Sequence, residues 1–339
     1  MQMAHLLLLL VAAIAVYASE PDAFQATTAA PSRRPTRRPT SKAKGTPQPT
    51  ARATNPAPDP TKYNIVLKFA PGTREDVKAL FTAAAAKWEG IITKDITDVP
   101  ASNTEWFDGK VPGVKYYGRV DDLVIAAKVG KIDGTPSNGL NVLAYSGPVY
   151  VRGSMLPVSG IMFFDKADVQ PLIDDGSFGD VILHEMGHIL GVGSIWPTAK
   201  ANCGGVCAPK SAAAYYTKGS TATCYAQKAA AELGLSGPLQ IGGNAMGSGA
   251  QSLGLRQLCN ELMTGLLGSP NGRTGGTGNP LSKITVGALQ DLGYKVDYTM
   301  ADAFDPTGCE PSSIGTAAED TVIWGGSSGG VVRPDIAMV

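Results

Sequence analysis

His184 and His188 stand four residues apart in Leu183-His184-Glu185-Met186-Gly187-His188, with Glu185 beside the first. On a helix this spacing puts both imidazoles on one face, where two ring nitrogens can reach a single metal ion. Glu185 is rotated off that line. There it can take the proton of a metal-activated water, the general-base task in metal-assisted hydrolysis. The chain holds three histidines, and the third, His5, lies in an apolar leader, so both histidines of the remaining chain fall in this pattern. Two satisfied core histidines on a buried helix are the plain alternative; a histidine-poor chain makes that coincidence hard to sustain. Gly191, just past His188, lets the helix stop and the chain turn sharply.

The elements that must position these residues are legible from periodicity and punctuation. Asn64–Phe69 reads as a strand ended by Pro71-Gly72. Thr73 is placed to N-cap a helix on which Val77, Leu80, Phe81, Ala84 and Trp88 recur at helical spacing. Strands are predicted at Leu123–Lys128, Leu140–Tyr145 and Gly160–Phe164. The histidine helix follows the turn-prone Asp174-Asp175-Gly176-Ser177. Residues 192–260 turn Gly-, Ala- and Ser-rich and read as a long insertion with a short helix near Ala226–Leu233. A last helix is capped by Ser282, runs through Ile284, Val286, Leu289 and Leu292, and stops at Gly293. Helices and strands mixed in this order predict an α+β fold.

With 43% hydrophobic and 17% charged residues, the chain has the composition of a folded protein. Its basic residues between 31 and 60 sit in a Pro/Thr segment without aromatics, which argues against a nucleic-acid binder. Residues 6–16 are apolar but too short to span a bilayer, and Val16-Tyr17-Ala18 suits a signal peptidase. Residues 1–18 are therefore read as a signal peptide of a secreted protein, with no stable membrane span once it is removed. Residues 19–61 are a low-complexity linker or pro-segment, and 306–339 a Gly/Ser-rich tail. In an oxidising compartment the five cysteines predict up to two disulfides and one remaining thiol.

HEMGHILG, a long insertion and then Asn260-Glu261-Leu262-Met263-Thr264-Gly265 resemble the leishmanolysin family of metzincin peptidases. Ala83–Ile92, Val120–Leu123, Gly160–Asp165, Asn279–Thr285 and Leu292–Tyr294 extend the resemblance over roughly residues 62–305. The resemblance implies a metzincin-like two-lobed zinc peptidase domain with a twisted sheet, an active-site helix and a Met-turn. It implies zinc on His184 and His188, Glu185 as general base, and Met263 as the methionine beneath the metal. An edge strand near Gly160–Phe164 would hold an extended protein or peptide substrate.

One position departs from the pattern. The family's third histidine falls on Ser252, and the other metzincin spacing falls on Ser194. A catalytic zinc ordinarily has three protein ligands and an open position. Gln251, Glu232 and Glu261 are the candidates for a substitute. The expected function is a secreted zinc metalloendopeptidase; the alternative is a catalytically inactive relative acting as an extracellular binding protein.

Overall fold

The computed structural model describes residues 59–134, 141–195, 224–239, 255–264 and 278–307, with the backbone of 322–323 and 337–338. These all belong to one unit, Pro56–Val339. The expected signal peptide, most of the linker and most of the tail lie outside the described residues. So do Cys203, Cys207 and Cys309, while Cys224 and Cys259 are disulfide-bonded.

The chain enters through β1 (Ile65–Phe69), crosses over by α1 (Glu75–Ile91) and returns as β2 (Leu123–Gly130). β3 (Asn141–Val142), β4 (Ala144–Val151) and β5 (Pro157–Asp165) follow, then α2 (Lys166–Asp174) and α3 (Phe178–Leu190). Beyond the insertion come α4 (Tyr225–Glu232), α5 (Leu255–Leu258) and α6 (Lys283–Leu292), with short strands β6 (Val322–Ile323) and β7 (Ala337–Met338). The fold is α+β. Its sheet runs β1-β2-β5-β4, with the two-residue β7 added beside β4. β1, β2 and β5 are parallel, and β4 is antiparallel to β5.

Both faces of this sheet are covered, which is why β2 reads as an almost unbroken apolar run. On one face Leu123, Ile125, Met162 and Phe164 pack under α1 and α3, with Phe164 edge-on to Phe81 at 5.1 Å and Phe178 at 5.5 Å. On the other, Val124, Ala126, Val158 and Ile161 meet Trp106, Phe107 and Val111 from the segment before β2. Gly160 lets α3 lie close on the sheet, since a Cβ there would run into the Ile189 side chain. Trp88 ties α1 to α3, its indole N–H donating to the Leu183 carbonyl at 3.1 Å.

Four expectations need correcting. The strand containing Gly160–Phe164 is internal, paired with β2 on one side and β4 on the other, so it is not an edge. The outer long strand is β4, which extends through Pro148, a residue that an outermost strand with a register shift just beyond it can tolerate. Thr73 does not cap α1: its hydroxyl donates back to the Ala70 carbonyl at 2.8 Å, and the helix starts from Arg74 without a side-chain cap. The helix α2 was not foreseen, since Pro171 inside it reads as a breaker.

Candidate metal centre

α3 is buried almost all round, which suits a helix running through the middle of a core rather than along its surface. Its end is built as expected. Gly191 takes φ 114°, its N–H reaches the His188 carbonyl, and the Val192 N–H reaches back to Gly187, a Schellman closure. The closure aims the Val192 carbonyl at the helix it has just left.

The two imidazoles lie edge to face with centroids 4.5 Å apart. His188 Nδ1 is 2.8 Å from the Val192 carbonyl oxygen, and His184 Nδ1 is 2.6 Å from the Leu262 carbonyl oxygen. A carbonyl only accepts, so each Nδ1 carries the proton and donates, leaving each Nε2 as the basic nitrogen. Histidines that hold metals are oriented in this way, by a second bond from the other ring nitrogen. Burial pushes the His184 pKa well below the ordinary value, helped by His188 nearby and opposed by the Leu262 bond. Burial lowers His188 as well. Both rings are thus kept neutral, the form that ligates.

Glu185 is buried beside them, and its Oε2 has no hydrogen-bond partner among the described residues. Burial pushes its carboxyl up to about 8, against the opposing effect of the Ser146 hydroxyl. That hydroxyl, on β4, donates to the Glu185 backbone carbonyl at 2.8 Å and so fixes α3 to the outer strand. Met263 lies under the helix. A Cβ on Gly187 would come within 2.6 Å of its sulfur and 3.3 Å of the Trp88 ring. Glycine is therefore what admits the methionine.

The structure thus brings His184, Glu185, His188, Gly191 and Met263 together, but among the described residues no Asp, Glu, Cys or third His joins the two histidines as a ligand group. Glu261 is fully buried and committed elsewhere. Its carboxylate accepts from Met263 N, Ser282 N, Ser282 Oγ and Thr285 Oγ1. Glu232 is exposed at the end of α4, which packs on α6. Ser194 closes the helix, its hydroxyl donating to the His188 carbonyl. Gln251 and Ser252 lie outside the described residues. A separate acidic group, Asp95, Asp121 and Asp122, was not singled out in the sequence. Its Asp122 carboxylate already accepts from Asn64 N and Ile96 N, and Arg119 bonds Asp121.

Ser146, the Leu262 carbonyl and Gly187 are site residues that sequence reasoning missed. Only Gly187 left a signal, because a glycine in mid-helix costs about 1 kcal/mol against alanine and marks a close approach. No protein-family model matches the chain, and neither does any curated protein. Among the described residues, no helix is long and apolar enough to cross a membrane.

Proposed function

We propose that this chain is a secreted zinc metalloendopeptidase of the leishmanolysin kind, with the metzincin two-lobed plan. The observation that carries the reading is the pair of buried histidines on one helix, each with Nδ1 tied to a backbone carbonyl and Nε2 left basic. Two neutral imidazole nitrogens oriented by second bonds suit a borderline-soft ion such as zinc. When bound, zinc supplies Lewis acidity and a lowered water pKa. His184 and His188 would hold it.

Glu185 receives the proton. Burial makes its carboxylate a strong base, and its Oε2 has no hydrogen-bond partner among the described residues. A nearby cation would keep it ionised enough to accept a proton from water and return it to the leaving amine. Met263 fills the space beneath the histidines without reacting. The outer side of β4 from Ala144 to Val149 has no strand partner among the described residues. An extended substrate can add there by main-chain hydrogen bonds, with Ser146 keeping that strand against the catalytic helix.

A second reading rests on the ligand count. With no third ligand beside the histidines among the described residues, the chain would keep the open side of β4 and bind peptides there without cleaving them.

Cleavage of a denatured protein by the purified protein decides between them, alongside Glu185→Gln. Activity lost to a chelator, restored by zinc and absent in the variant supports the peptidase. Peptide binding with no cleavage by the native protein, at saturating zinc, supports the binding protein.

A further inference from the structure

We infer that Glu261 is a positioning residue for the metal site: its buried carboxylate locks the turn whose Leu262 carbonyl orients His184. The inference rests on the metal-site reading above for its consequence, and on the hydrogen bonds around Glu261 for its mechanism.

The two histidines are oriented by unlike devices. His188 leans on Val192, four residues on, inside the closure of its own helix. His184 leans on a carbonyl 78 residues away, so its ring is only as well placed as the turn at 261–264. That turn is held from outside. Glu261 Oε2 accepts the Met263 N–H at 2.7 Å. Its Oε1 accepts Thr285 Oγ1 at 2.6 Å, Ser282 Oγ at 2.8 Å and Ser282 N at 3.1 Å. The carboxylate therefore sits at the N-terminal end of α6, where the helix dipole favours a negative charge. The peptide whose N–H Glu261 holds, Leu262–Met263, is the one whose carbonyl faces His184. Leu262 is held from its other side by its N–H donating to the Pro280 carbonyl at 2.9 Å. Thr264 folds back on the Glu261 and Cys259 carbonyls. A carboxylate with four donors on it is not available as a ligand. It acts on the metal through Leu262 and His184.

Glu261→Gln separates the two oxygens. An amide has one acceptor, and the side with three donors claims it. Its NH₂ then faces the Met263 N–H, donor against donor, and the bond that holds the turn is lost while the α6 side is kept. The chain's histidine poverty makes the effect readable, since His184 and His188 are the only histidines outside the leader.

The test is ¹⁵N NMR of the imidazoles in the metal-free protein, at a pH where both rings are neutral, with cobalt(II) binding measured beside it. In Glu261→Gln the His184 nitrogens should move from the Nδ1–H form towards a mixture of tautomers, while the His188 nitrogens stay in place. Cobalt(II) should bind about 10- to 100-fold more weakly, with an altered visible spectrum. Unchanged His184 nitrogens, or equal movement of both rings, would overturn the inference in favour of a purely structural carboxylate. Should Glu261→Gln fail to fold, Thr285→Val keeps the Met263 bond but removes one of the three that anchor the carboxylate which makes it. His184 must then shift in the same direction by less; no shift overturns the inference. A native protein that binds no cobalt(II) sinks the metal-site reading instead, and the nitrogen spectra still decide what Glu261 does.

Discussion

Glu185 illustrates how a single side chain can carry opposite duties. Without metal its carboxyl is held at about 8 by burial, so the folded chain binds a proton that the unfolded chain releases near the ordinary carboxyl range. Stability from this group is full at low pH and is lost as pH rises towards 8. Glu185→Gln should therefore abolish cleavage by at least about 100-fold yet flatten that decline, a gain on the order of a few kcal/mol above pH 8 in urea unfolding of the metal-free protein. At Gly187 the sign is reversed. A methyl added there improves helix propensity by about 1 kcal/mol but meets the Met263 sulfur, an overpacking cost of about 1–3 kcal/mol. Gly187→Ala should lower stability by up to about 2 kcal/mol, and Met263→Ala in the same chain should recover part of the loss. A double-mutant cycle that came out additive would mean the two residues do not touch in solution. The histidines and Glu185 were legible because their relation is local, one turn of helix. The Leu262 carbonyl was not, because every residue has a carbonyl and only the fold says where it points.

Among the elements, those bounded by glycine were read best. α3 ends at Gly191 and α6 at Gly293, both with positive φ that suits glycine. Gly191→Ala should destabilise by about 1–3 kcal/mol, from left-handed strain and contact with Ile195. It should also disturb His188 while leaving His184 in place, visible as movement of one imidazole signal and not the other. Strand order was not legible. Nothing in Gly160–Phe164 distinguishes an inner strand from an outer one, because pairing on both sides is a property of neighbours far along the chain. Pro148 concealed the length of β4 for a related reason, since an outermost strand tolerates a proline that an inner one would reject. On the peptidase reading, capture of an extended substrate would fall to β4, and Ser146→Ala, which removes that strand's hydrogen bond to α3, should raise KM more than it lowers kcat.

For the whole molecule, two carboxyls outside the site set a pH trend. Burial pushes Asp122 up to about 6, against hydrogen bonds from Ile96 and Asn64, and pushes Asp291 up to about 6 against bonds from Ala226 and Tyr225 at the start of α4. Both folded values lie above the ordinary one, so their contribution is present at low pH and is lost as pH rises from about 4 to about 6. Thermal midpoints should fall across that window, and Asp122→Asn with Asp291→Asn should reduce the slope to the part that Glu185 contributes. A slope unchanged in the double variant would assign the trend to other groups. The same two histidines also differ in when they are set during folding. His188 acquires its orienting bond as soon as α3 closes on itself, a local event, whereas His184 waits for a contact that closes a loop of 78 residues. Loop-closure entropy therefore predicts that during refolding the His188 nitrogen is aimed before the His184 nitrogen. On the metal-site reading, metal added at the start of refolding should leave formation of α3 untouched and act only when the 261–264 turn docks.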